Sequence, residues 1–106
     1  MPVIELNDST ISQLNGEPCI IDFYADWCTP CKMMSPMLEE TSSDNQDITF
    51  FKVNVENNPE ITNKYKIANL PTILFMQKGL VVEKSVGTLS KKQLREKMEN
   101  IKIKNE

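Results

Sequence analysis

Hydrophobic residues fall along this chain in short dense runs separated by stretches of helical spacing. The run from Cys19 to Ala25 (Cys-Ile-Ile-Asp-Phe-Tyr-Ala) is almost continuously apolar and rich in β-branched and aromatic residues. That pattern predicts a strand. Met33, Met34, Met37 and Leu38 then recur at helical spacing and are expected to fill the core. Pro36 lies inside this run, where it removes the hydrogen bond to the Lys32 carbonyl and is expected to bend the helix. Ile48 to Val55 has strand-like density, and Asn58-Pro59 reads as a cap and first helical residue ahead of Ile61 and Tyr65. Ile73 to Met76 and Leu80 to Val86 are joined by Gln77-Lys78-Gly79, which predicts an antiparallel hairpin. Ser90 with Gln93 forms a capping box, and Leu94, Met98 and Ile101 make the apolar face of a last helix. The charges from Lys91 to Glu99 form its solvated side. Near the start, Asn7 or Asp8 is expected to cap a short helix carrying Ile11 and Leu14, closed by Asn15-Gly16. The whole predicts an α/β fold, a mixed sheet flanked by helices, with fraying after Ile103.

The 106 residues suffice for one domain, residues 1–106, with a modest core. A net charge of -3 without a basic patch argues against nucleic acid as a partner. No stretch approaches the ~20 apolar residues of a membrane span, and the first residues lack a signal-peptide pattern. A cytoplasmic monomer is therefore expected.

Three cysteines without an export signal do not read as a disulfide scaffold, so the close pair Cys28 and Cys31 points to catalysis or metal binding. A strand leading straight into a helix places Cys28 at unsatisfied backbone N-H groups, which stabilise a thiolate. Cys31, one turn on, can attack a mixed disulfide formed at Cys28. The competing use is a zinc half-site, but the chain has no histidine, and Cys19 sits nine residues before Cys28 on the strand. No metal and no cofactor are expected. The lack of histidine also excludes Cys-His and Ser-His hydrolase chemistry. Cys19 itself reads as a small apolar strand residue.

The segment Asp22-Phe23-Tyr24-Ala25-Asp26-Trp27-Cys28-Thr29-Pro30-Cys31-Lys32, with Leu70-Pro71-Thr72 and Val86-Gly87-Thr88-Leu89-Ser90, resembles the thioredoxin family over nearly the whole chain. The resemblance implies the thioredoxin fold and a dithiol that reduces disulfides in client proteins and is regenerated by a flavin-containing thioredoxin reductase. It further implies that Cys28 is the nucleophile and Cys31 the resolving cysteine. Asp22 looks like the family's buried carboxylate that takes the resolving cysteine's proton, and Lys52 like the lysine beside it. Desolvation in an apolar strand should raise the Asp22 pKa toward neutrality. Pro71 resembles the family's cis-proline, and Trp27, Leu70, Pro71 and Val86 would make a substrate-docking rim. Pro30 would keep the pair reducing. Thr29 stands where the commonest motif has glycine and should move the redox potential. Tyr24 replaces the usual tryptophan, while Lys66 and Asn69 occupy positions where glycines are frequent. A folding oxidant or isomerase on the same fold, and a binding module with incidental thiols, are the competing readings. Pro30 and the lack of an export signal weigh against the first. The intact set of Asp22, Cys28, Cys31 and Pro71 weighs against the second.

Overall fold

The computed structural model describes residues 3–102. Its sheet is built from β1 (Ile4–Glu5), β2 (Cys19–Tyr24), β3 (Thr49–Asn54), β4 (Thr72–Gln77) and β5 (Leu80–Val86). They lie in the order β1-β3-β2-β4-β5. β1, β3 and β2 are parallel, whereas β4 and β5 run antiparallel, so the sheet is mixed as expected. Helices α1 (Thr29–Asp44), α2 (Pro59–Lys64) and α3 (Lys91–Glu99) cover it.

Side chains alternate across the central strands and feed two cores. On one face Ile20, Phe50, Ile73 and Phe75 pack with Met34 and Leu38 of α1 and with Leu94 and Met98 of α3. On the other, Cys19, Ile21, Phe23, Phe51, Val53, Leu74 and Met76 pack around Leu6 and Ile61. β2 is buried on both faces, which is why its sequence reads as a continuous apolar run. The helix α1 runs through Pro36. Its buried positions, Cys31, Met34, Leu38, Thr41 and Ser42, trace one face. Met33 lies outside that face and is 73% exposed, which corrects its expected place in the core.

The hairpin and the last helix follow the expected turn and cap chemistry. Lys78 and Gly79 both have positive φ, as the tight turn between paired Gln77 and Leu80 requires. Ser90 Oγ accepts the Gln93 N-H at 3.1 Å and Gln93 Oε1 accepts the Ser90 N-H at 2.9 Å. The N-terminal caps differ from expectation. The short helix near the start is a single 3-10 turn, Ile11–Gln13, preceded by Thr10 and without a side-chain cap. Asn7 Oδ1 instead accepts from the Ser9 N-H and hydroxyl. Asp8 caps a different helix: its two carboxylate oxygens accept the Glu60 and Ile61 N-H groups of α2 at 3.2 and 2.9 Å. Asn58 precedes α2, yet its side chain accepts the Asp8 N-H and donates to the Asn54 carbonyl rather than capping its own helix. β1 has no counterpart among the predicted elements. The fraying expected after Ile103 falls outside the described residues.

α2 closes with a left-handed residue that is not glycine. Lys66 has φ 54°, its N-H donates to the Asn63 carbonyl, and the Ile67 N-H donates to the Thr62 carbonyl, which together form a Schellman motif. A side chain at this position crowds the following carbonyl, at a cost of about 1–2 kcal/mol relative to glycine, partly offset by glycine's greater freedom when unfolded. Lys66→Gly is therefore expected to raise unfolding stability by about 0.5–1 kcal/mol. Asp8→Ala, which strips two N-H groups of α2 of their acceptor, is expected to lower it by about 1 kcal/mol. Urea unfolding of both variants checks the pair of opposite signs.

Candidate active site

β2 ends at Tyr24, and four residues later Cys28 stands at the N-cap of α1. Its backbone is extended, with φ -86° and ψ 100°, and its Sγ accepts the Cys31 N-H at 3.3 Å. A sulfur thus occupies the place that a serine or aspartate oxygen takes in an ordinary cap. Pro30 sits in the first turn of α1, where its missing N-H leaves no helical hydrogen bond unmade. Cys28 and Cys31 form a disulfide with Cα atoms 5.3 Å apart. Both are buried in a small cluster with Ala25, against which Tyr24, Val55 and Leu70 pack. Thr29 and Pro30 are exposed at the head of the helix.

Beneath the helix start, Asp22 is 6% exposed, and its Oδ1 has no hydrogen-bond partner among the described residues. Burial pushes its carboxyl up to about 7; Lys52 partly offsets this and Glu5 adds to it. Register explains the neighbours: Asp22 lies opposite Lys52 on β3, and Lys52 opposite Glu5 on β1. The ion pair of Lys52 is with Glu5, at 3.9 Å. Asp22, Lys52 and Cys31 line one cavity of about 140 Å³, together with Tyr24, Asp26, Lys32 and Ser35. That volume holds several waters, so the carboxyl and the second cysteine can exchange a proton through solvent.

Of the remaining expected residues, Leu70 packs against the disulfide cluster. The Leu70-Pro71 peptide is cis. Pro71 is buried, and its carbonyl accepts the Gly87 N-H at 2.8 Å. Val86 pairs with Thr72 in the hairpin and is 56% exposed. Trp27 is 68% exposed and shares a cleft with Val55, Ile67, Asn69 and Leu70. Trp27 and Leu70 therefore meet in one cleft, while Val86 lies on β5 opposite Thr72, the residue after Pro71. Cys19 stands apart, buried in the core on a different cluster, and burial pushes its thiol up to about 11. It stays protonated and out of thiolate chemistry at neutral pH. Sequence reasoning missed Glu5 and the cavity position of Asp26. β1 is only two residues long and carries no periodicity that could have revealed the first.

Comparison with known proteins agrees with this geometry. The Thioredoxin family model matches residues 4–100. The chain belongs to the thioredoxin family. It is 39% identical to a thioredoxin of Mycoplasmoides gallisepticum over 85% of this chain and 92% of that one. It is 38% identical to a thioredoxin of Bacillus subtilis over 91% and 94%. A solved chain from work on the thiol resolving mechanism in yeast mitochondrial 1-Cys peroxiredoxin via glutathione/thioredoxin systems superposes with a TM-score of 0.83, at 28% identity, over 92% of this chain and 94% of that one. The fold is the thioredoxin fold, and the chain is a thioredoxin-type thiol-disulfide oxidoreductase working through a reversible dithiol. No helix among the described residues is long and apolar enough to cross a membrane.

The raised Asp22 carboxyl makes stability pH-dependent. In the unfolded chain the group ionises near its ordinary value of about 4, whereas the folded protein keeps the proton until about 7. The unfolded state binds fewer protons in that window, so this group's contribution is complete below pH 4 and is lost as pH rises through 7. For the oxidised protein, the stability advantage of Asp22→Asn over the parent is expected to grow by about 2–4 kcal/mol from pH 4 to 8. Denaturant unfolding across that range checks the slope; an advantage independent of pH would contradict it.

Proposed function

We propose that Cys28 is the attacking nucleophile of a protein-disulfide reductase and Cys31 its resolving cysteine. The observation carrying this reading is the position of Cys28 at the N-cap of α1, with Cys31 turned toward the cavity that holds Asp22. In the reduced protein the Cys28 thiolate, favoured by the helix N-H groups, attacks one sulfur of a client disulfide. A Cys28-client disulfide forms and the other client sulfur leaves as a thiolate. Asp22 then takes the proton of the Cys31 thiol through water in the cavity, and the Cys31 thiolate attacks Cys28. The Cys28-Cys31 bond forms, the second client sulfur leaves, and two electrons have passed to the client. Lys52 is the electrostatic partner that keeps Asp22 able to ionise.

Trp27, Leu70, Pro71 and Val86 form the docking rim for an extended client segment. The cleft beside Trp27 and the exposed Val86 support this. Thr29 and Pro30, exposed in the first turn of α1, set the potential of the pair. A flavin-containing thioredoxin reductase restores the dithiol. A relative in Mycobacterium leprae named bifunctional thioredoxin reductase/thioredoxin, 37% identical over 76% of this chain and 18% of that one, supports such a partner. The protein works as a single-domain monomer in the cytoplasm on disulfide-containing clients, without nucleic acid.

Cys31→Ser blocks only the resolving step, so the mixed disulfide with clients is expected to accumulate. A non-reducing gel of the variant mixed with a disulfide-containing protein reads the adduct, and Cys28→Ser should abolish it. Absence of any adduct with Cys31→Ser would overturn the assignment of the two sulfurs.

A further inference from the structure

The lysine expected to serve Asp22 is shared. Asp22, Lys52 and Glu5 occupy one row across β2, β3 and β1, and in-register parallel neighbours project to the same side of the sheet. Lys52 forms its ion pair with Glu5, at 3.9 Å. Glu5 is itself held from the other side: the Tyr24 hydroxyl donates to its Oε1 at 2.5 Å. Tyr24 lies two residues beyond Asp22 on the same face of β2 and lines the same cavity. The row is thus an arrangement of two carboxylates, one ammonium and one hydroxyl, with Asp22, Tyr24 and Lys52 lining the cavity that Cys31 also lines.

We propose that Glu5 is a positioning residue for the resolving step: it draws the Lys52 ammonium toward β1 and so makes the Asp22 carboxylate a stronger base toward Cys31, while the Tyr24 hydroxyl bound to Glu5 limits the effect. This deepens the reductase reading above and rests on it. The other groups facing Asp22 are Asp26, just after β2, and Lys32 with Cys31 on α1. From β4 its register neighbour is the apolar Ile73. Glu5 is thus the second carboxylate that competes for Lys52 within the sheet. Its charge acts twice in one direction, by repelling negative charge on Asp22 and by holding away the cation that would stabilise it. The Tyr24 hydroxyl disperses part of that charge and limits both effects.

The test is a carboxyl 13C NMR titration of Asp22 in the oxidised protein, which needs neither client nor reductase. In Glu5→Gln the midpoint is expected to fall by roughly 0.5–1 pH unit, and in Tyr24→Phe to rise. In a Lys52→Met background the Glu5→Gln displacement should shrink, because part of it passes through the ammonium. A Glu5→Gln midpoint that is unchanged or higher, a Tyr24→Phe midpoint that is unchanged or lower, or an undiminished displacement without Lys52 overturns the proposal. Client trapping by Cys31→Ser reports separately on the reductase reading, so the two can fail independently. A merely structural loss at Glu5 has no reason to reverse sign at Tyr24.

Discussion

A carboxyl group buried in the central strand of the sheet is the constraint around which the site is arranged. β2 is covered on both faces, so any polar side chain in it loses water, and Asp22 loses it without a hydrogen bond to its Oδ1 from the described residues in return. Such a group is unfavourable in its charged form and is tolerated where a cation and a cavity large enough for water lie beside it. The register of the parallel strands supplies the first, and the start of α1 over the end of β2 supplies the second. Both depend on the mixed topology, which puts β2 at the centre with parallel β3 on one side and antiparallel β4 on the other.

The same topology gathers the rest of the site at one end of the sheet. β2 runs out into α1, β4 begins after the cis Leu70-Pro71 peptide, and β5 returns antiparallel to bring Val86 opposite Thr72. The three segments therefore meet without any long loop. Core and chemistry are divided along the strand: Ile20 and Ile21 anchor the two apolar layers, while Asp22 shares a cavity with Cys31 and Ala25 packs with both cysteines. The disulfide is buried, yet Trp27, the residue before Cys28, is exposed, so apolar surface lies next to sulfur that water scarcely reaches.

Most of the fold was legible because its long elements carry their own period. β2, β3 and the hairpin showed dense apolar runs, and α3 showed both its capping box and its face. Met33 was misplaced because adjacent residues on a helix differ by about 100°, and spacing alone does not say which of Met33 and Met34 turns inward. The observed face through Cys31, Met34 and Leu38 decides it. The caps failed for a different reason. Asn58 has the right residue type in the right place, but Asp8, fifty residues earlier in the chain, occupies the acceptor position, and the asparagine turns to brace it. Local rules cannot rank a local acceptor against one that the tertiary fold delivers. At the site, Asp22 and the cysteine pair stood out through their apolar flanks and motif, and Lys52 through the family resemblance alone. Glu5 did not, since a two-residue strand has no pattern and its relation to Lys52 exists only in the folded register.

Tyr24 and Glu5 illustrate how a departure in sequence acquires a physical meaning. Read alone, Tyr24 is one aromatic ring in place of another. In the fold its ring packs against the cysteine cluster while its hydroxyl reaches Glu5, and an indole in that place would offer a differently directed N-H. Burial first, and then the Glu5 hydrogen bond, hold the phenol in its protonated, donating form. A carboxylate on β1 beside Lys52 would otherwise be a direct competitor of Asp22 with nothing to moderate it. The hydroxyl on β2 moderates it, so the tyrosine and the glutamate form one electrostatic unit across β2, β3 and β1. Substitutions at either position act on the other, and through Lys52 on the Asp22 carboxyl that shares a cavity with Cys31.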